Sequence, residues 1–211
     1  MKKAIVLLSA VAASAAFGVH ATTAEAQPPV APEWVRIDRI SANGSGCPAG
    51  TVTAAISPDR QAVTLTFADF DASVAPGLDP ARSSEFCGIN LLLNYPGGWS
   101  FSIVTADYEG RVNLGPRVVG QQTSTYWFQG QLGRPRFATT IVGPAFGPYF
   151  RRDTLGTGAI VWSPCGARRY LNIDSDVSVS NMANPSASGF MNVKYLDVTV
   201  QVTYGLTWRL C

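Results

Sequence analysis

Histidine is almost missing from this sequence. Its 211 residues include one, His20, and that one falls inside an N-terminal leader, so a chain that has lost its leader has no imidazole. Ser-His-Asp triads, HExxH zinc sites and histidine proton shuttles are thereby excluded. Lysine is nearly as scarce: beyond Lys2 and Lys3 only Lys194 remains, and no S-x-x-K spacing ends there. Neither GxxxxGK[ST] nor GxGxxG occurs, which removes the phosphate-cradling loops of nucleotide binders. Charged residues make up 14% of the chain and form no block of one sign. Past the leader, 13 arginines and Lys194 face 13 carboxylates, a net charge near +1, which gives no reason to expect nucleic acid or an anionic membrane as partner. No apolar run after the leader is long enough to span a bilayer, so no membrane insertion is expected.

The leader reads MKKAIVLLSAVAASAAFGVHATTAEAQ. Lys2 and Lys3 form a charged start, Ala4 to Val19 an apolar stretch, and Ala24-Glu25-Ala26 a small-x-small cleavage site, with a competing site after Ala21. An uncleaved anchor is the other reading, but this stretch is short and alanine-rich for a span. The expected organisation is a signal peptide over 1–26, a proline-rich lead over 27–33 and one β-sandwich domain over 34–211, secreted to the extracellular space or the periplasm.

An exported chain meets an oxidising environment, where Cys47, Cys87, Cys165 and Cys211 can pair in three ways. Pairing of sequence neighbours, Cys47 with Cys87 and Cys165 with Cys211, is favoured because the second bridge then ties down the last residue. Each would close a loop worth about 4 kcal/mol by the chain-entropy estimate. The alternative for Cys47, in the glycine-rich run GSGCPAG, is a nucleophilic thiol, but no histidine is left to deprotonate it.

Hydrophobicity alternates with period two in segment after segment. Val198, Val200, Val202, Tyr204, Leu206, Trp208 and Leu210 share one parity, with Thr199, Gln201, Thr203, Thr207 and Arg209 on the other. Val63, Leu65 and Phe67 repeat the pattern, as do Ile89, Leu91, Leu93 and Tyr95, and again Leu171, Ile173, Val177 and Val179, whose polar parity carries Asn172, Asp174, Asp176 and Ser178. One buried and one solvated face per strand is the direct reading. Turn signals separate the runs at Ser57-Pro58-Asp59-Arg60, Tyr95-Pro96-Gly97-Gly98 and Asn184-Pro185-Ser186. About ten short strands and no long amphipathic helix predict an all-β fold, an antiparallel sandwich with two disulfides, jelly-roll-like if connections cross between sheets.

GSGCPAG followed by SPDR, FCGINLLLNYPGGWSFSI, QQTSTYWFQGQ, VWSPCG with LNI behind it, and the terminal LTWRLC together resemble the secreted family catalogued as domain of unknown function 4360. The resemblance runs over nearly the whole chain past the leader. It implies secretion and a compact cysteine-linked domain, and it carries over no catalytic residue.

What remains for site chemistry is carboxylate and aromatic. Asp69 and Asp71, Asp107 and Glu109, and Asp174 and Asp176 are spaced i, i+2, which on a strand puts both groups on one face with Cα atoms roughly 6.5 to 7 Å apart. Such a pair could flank a sugar bond or, for Asp174 and Asp176, offer oxygens to Ca²⁺; charged residues placed for solubility are the plainer account. In QQTSTYWFQG a strand must turn at least one of three consecutive rings outward, and Trp127, sharing parity with Thr123 and Thr125, is the expected one. GPAFGPYFRRD, residues 143–153, reads as a loop bearing Phe146, Tyr149 and Phe150 beside Arg151 and Arg152. Rings beside guanidiniums and amides suit a sugar-binding face; alternatively the rings plug the end of the sandwich with arginine stems over them. Trp99, Trp162 and Trp208 are expected in the core, and the Asn43-Gly44-Ser45 acceptor sequence is expected unmodified.

These readings converge on a secreted, non-catalytic module whose partner is a polysaccharide or another envelope component, needing no cofactor. Two alternatives stand beside it: a carboxylate-dependent glycan hydrolase, and a secreted protein-interaction or structural domain.

Overall fold

The computed structural model describes residues 31–77, 81–191 and 200–211. The signal peptide over 1–26, most of the proline-rich lead, Lys194, Val198 and Thr199 lie outside the described residues.

Twelve strands carry the described chain: β1 (Arg36–Asn43), β2 (Val52–Ile56), β3 (Ala62–Phe67), β4 (Ala72–Val74), β5 (Arg82–Asn94), β6 (Trp99–Leu114), β7 (Val119–Phe128), β8 (Arg136–Val142), β9 (Ala145–Thr154), β10 (Leu171–Ser180), β11 (Gly189–Met191) and β12 (Val200–Leu210). Among the described residues the helical content is one 3-10 turn, Thr157–Ala159. Two antiparallel sheets face each other, with order β1-β5-β10-β7-β8 in one and β2-β3-β12-β6-β11-β4 in the other, where β9 adds to the opposite flank of β6. The chain passes repeatedly between the sheets, since β1, β5, β7, β8 and β10 belong to one and the intervening strands to the other. Three-residue strands such as β4 and β11 are too short to show a period, which is why the sequence pattern suggests fewer strands.

Alternation decides what each sheet buries. Val63, Leu65 and Phe67 meet Val200, Val202 and Tyr204 across the β3–β12 ladder, and all six are buried. From the other sheet Ile89, Leu91, Ile173, Val177 and Phe128 fill the facing side. Fully buried Tyr108, Tyr126 and Tyr204 bring hydroxyls into this interior. A buried hydroxyl without a partner costs free energy, and hydrogen bonds answer it for two of them: Tyr126 Oη donates to the Ile103 carbonyl at 2.8 Å and Tyr204 Oη to Ser124 Oγ at 2.8 Å. Burial pushes the Tyr204 pKa up to about 12, so the hydroxyl stays protonated and able to donate.

Of the three tryptophans expected in the core, only Trp208 is buried. Trp99 is half-buried and packs edge-on against Trp208, centroids 6.4 Å apart. Trp162 lies outside the core under the Arg209 guanidinium, 4.1 Å from its ring, because the 160–170 segment forms no strand and follows no sheet parity. Leu210, on the apolar parity of β12, is 69% exposed, since β12 there runs past the edge of the core.

Both bridges pair sequence neighbours. Cys47–Cys87 (Cα–Cα 5.4 Å) is wholly buried, whereas Cys165–Cys211 (Cα–Cα 5.9 Å) has both residues exposed and clasps the chain end to the loop before β10. Graded reduction should therefore open Cys165–Cys211 first, with thiol labelling mapped by mass spectrometry; labelling of Cys47 or Cys87 before global unfolding would contradict this. Replacing Cys47 and Cys87 together by serine should cost about 4 kcal/mol in urea unfolding.

Candidate functional site

β10 is central to the five-stranded sheet and pairs over its full length with β5 on one side and β7 on the other. Its inward set, Leu171, Ile173, Ser175, Val177 and Val179, is buried. Its outward set must then be Asn172, Asp174, Asp176 and Ser178, since successive residues point to opposite faces. The ladders give each of these two cross-strand neighbours. Asn172 lies between Asn90 and Trp127, Asp174 between Gly88 and Thr125, Asp176 between Phe86 and Thr123, and Ser178 between Ser84 and Gln121. Pairs directly opposite are close enough for their side chains to meet, so three strands compose one polar face with two rings on it.

That face is grooved. A depression of about 440 Å³ is lined by Arg39, Ser41, Asn90, Gln129, Tyr170 and Asn172. It shares Asn90 and Asn172 with a second, of about 250 Å³, where Asn43, Phe86, Gly88, Trp127 and Asp174 also contribute. A third, of about 210 Å³, follows along β10 among Arg82, Ser84, Gln121, Thr123, Thr125, Arg136, Asp176 and Ser178. Gly88 holds the middle open: a Cβ there would stand 3.3 Å from the Phe86 ring. A separate hollow of about 230 Å³ at the end of the sandwich, between residues 95–99 and 166–168, shares no residue with this trough.

Trp127 is half-buried on the outward face of β7, with the Arg134 guanidinium 4.0 Å from its ring centre. The Asn172 side-chain amide donates to the Trp127 carbonyl at 3.4 Å. Both trough aspartates have raised pKa values. For Asp174 burial is the main cause and repulsion from Asp176 adds to it, while Arg134 opposes; for Asp176 burial again dominates, opposed by a hydrogen bond from Thr123 and by Arg136 and Arg82. Among the described residues no group of three or more acidic, His or Cys side chains comes together, so Asp174 and Asp176 have no third such ligand for Ca²⁺.

The other expected residues lie elsewhere. Residues 143–153 are not a loop: after the Gly143–Pro144 turn they form β9, paired with β6. Its glycines and prolines suggest a loop, yet Pro148 is tolerated because β9 is an edge strand. Tyr149 is buried and donates from its hydroxyl to Gln122 Oε1 at 2.7 Å, so it cannot present its ring to a ligand. Phe146 and Phe150, on the opposite parity, are 82% and 52% exposed on the outer face of the seven-stranded sheet, the far side of the sandwich from Trp127. Arg151 is exposed, and Arg152 is held by Asp107, Nε to Oδ1 at 2.6 Å, which also takes Asp107 out of any acid–base pairing with Glu109. Asp69 and Asp71 follow β3 in a turn rather than sharing a strand face.

The family model for Domain of unknown function (DUF4360) matches residues 33–211. The chain belongs to this family. An "Uncharacterized secreted protein" of Arthroderma benhamiae is 37% identical to this DUF4360 chain over 180 residues, covering 85% of the chain and 73% of that protein. Among solved structures, TmCBM61 in complex with beta-1,4-galactotriose aligns over 82% of this chain and 90% of its own, with 9% identity and a TM-score of 0.29. The enzymatically active domain of bacteriophage CBA120 tailspike protein 4 aligns over 82% of this chain but 19% of its own, with 13% identity and a TM-score of 0.25. Both overlaps are too distant to bear on the site.

Most of the trough, including Phe86, Tyr170, Gln129 and Arg136, is invisible to motif reading. The polar parity of Leu171–Ser180 was the available signal, but which strands flank β10 is a matter of topology.

Because native Asp174 and Asp176 hold protons more tightly than unfolded aspartate at its ordinary 3.8, their ionisation opposes folding: stability falls as pH rises from that value through the raised ones. Asp174→Asn and Asp176→Asn should each match the parent in urea unfolding well below pH 3.8 and equal or exceed it at neutral pH. In Asp176→Asn, a carboxyl-carbon NMR titration should show Asp174 moving down toward its ordinary value; no movement would separate the two groups.

Proposed function

We propose that this protein is a secreted, non-catalytic module that binds a glycan on the outer face of its five-stranded sheet. One observation carries the reading: a tryptophan ring, with the Phe86 and Tyr170 rings near it, lies in a trough whose other side chains bring amide, hydroxyl, carboxylate and guanidinium groups. A pyranose offers C–H faces that stack on a ring and hydroxyls that both donate and accept. Trp127 supplies the platform. Asn90, Asn172 and Asp174 surround it with planar polar groups, and Arg134, on a flexible stem, either caps the sugar or moves aside for it. Release from the cell is supported by the leader, the two disulfides and the secreted fungal relative.

A hydrolytic reading is favoured by the placement of Asp174 and Asp176 side by side in the same trough. Their common strand puts them on one side of any ligand, which suits hydrogen bonding better than the flanking attack that glycoside hydrolysis uses.

The test is depletion of the oxidised domain, residues 27–211, from solution by insoluble cell-wall and polysaccharide fractions, with reducing ends measured in the supernatant. Depletion without sugar release is expected. Trp127→Ala should weaken binding about tenfold, the scale of one lost aromatic contact, at an unchanged unfolding midpoint, while Phe146→Ala and Phe150→Ala bind as the parent does. Undiminished binding by Trp127→Ala would dismiss this face, and sugar release abolished by Asp176→Asn would establish the hydrolase.

A further inference from the structure

We infer that the ligand is an uncharged, extended polysaccharide chain lying along β10 and engaging several consecutive sugars at once, an inference that rests on the glycan reading above.

Extension follows from the shape of the trough. Its three depressions succeed one another along a single strand. The first two share Asn90 and Asn172, and the second abuts the third where Asp174 faces Thr125 and Asp176 faces Phe86. From Asn172 to Ser178 the strand covers about 20 Å, the reach of a short oligosaccharide rather than of one sugar. Trp127 stands toward one end of this length, so a monosaccharide stacked on it leaves the depression around Asp176 empty.

Neutrality follows from the charges. Asp174 and Asp176 project from the central strand into the floor, whereas Arg82, Arg134 and Arg136 stand around them on exposed positions. Ion pairs among the described residues join Arg152 to Asp107 and Arg168 to Asp38, and none joins a trough aspartate to these arginines. The floor thus keeps acceptors and the rim keeps donors. A uronate laid along β10 would bring its carboxylate against two others, and an amino sugar would bring an ammonium among three guanidiniums; like charges brought together at an interface cost several kcal/mol. A hydroxyl gives its proton to the floor and accepts from the rim, so an uncharged chain satisfies both sets without either penalty.

The experiment is affinity electrophoresis of the oxidised domain in gels containing soluble β-glucan, galactan or mannan. The polymer that retards it most is then compared with the same polymer after partial oxidation of its primary alcohols to carboxylates, and with its own oligosaccharides of increasing length in calorimetry. The inference expects affinity to climb with length until the trough is spanned and then level off. It also expects about tenfold weaker binding to the oxidised polymer, a penalty that shrinks in Asp176→Asn, whose fold is checked by its unfolding midpoint. Equal or tighter binding of the oxidised polymer would overturn neutrality, and a disaccharide as tight as longer chains would overturn extension; in both cases retardation by the native polymer, lost in Trp127→Ala, leaves the glycan reading standing. Retardation by no polymer would overturn that reading and this one together.

Discussion

The double ladder of β10 is the constraint on which the rest depends. Ten residues are hydrogen-bonded on one side to β5 and on the other to β7, and the strand period of two leaves no freedom in which side chains face the interior. A slip of one residue would put Asn172, Asp174 and Asp176 among Leu91, Phe128 and Val202 and carry Ile173 and Val177 into water, exchanging buried apolar area for buried charge. The register that keeps the core dry is therefore the same register that composes the trough.

The interior adds a second tie between the sheets. Ser124 on β7 and Ser175 on β10 stand 3.2 Å apart, and the Tyr204 hydroxyl from the opposite sheet donates to Ser124. Together with Tyr126 to the Ile103 carbonyl and Tyr149 to Gln122, these groups cross the space between layers that otherwise meet through apolar contact, and buried hydrogen bonds demand particular partners where dispersion does not. The two bridges act at different places: the buried Cys47–Cys87 links the segment after β1 to the middle of β5, and the exposed Cys165–Cys211 secures the chain end. The sheet that carries the trough is thus held by the core and by a bridge that solvent does not reach.

The functional reading grows from this rigidity. Planar polar groups on strands hold their positions better than groups on loops, and a ligand meeting them loses little to ordering the protein. Arg134, in the segment before β8 and resting on the Trp127 ring, lies off the strands, as do Gln129 and Tyr170. Asp174 and Asp176 in the floor and Arg39, Arg82, Arg134 and Arg136 around them present both signs along the trough, in a chain that is near-neutral as a whole.

Much of this was legible in one dimension. Alternation in Leu171–Ser180 and Val200–Leu210 announced strands with one wet face, and neighbouring cysteines paired as loop closure favours. Trp127 could be turned outward by parity alone, because parity within a strand is local. Tyr149 could not be assigned, since the glycines and prolines around it resemble a loop and only pairing with β6 makes that stretch a strand with Tyr149 inside. Nor could the trough be read: Phe86, Asn90, Trp127 and Asn172 are far apart in sequence and become neighbours when β5, β10 and β7 align. Composition and period thus determined the kind of fold, whereas strand order, a long-range property of the packed sheets, decided which polar side chains share a surface.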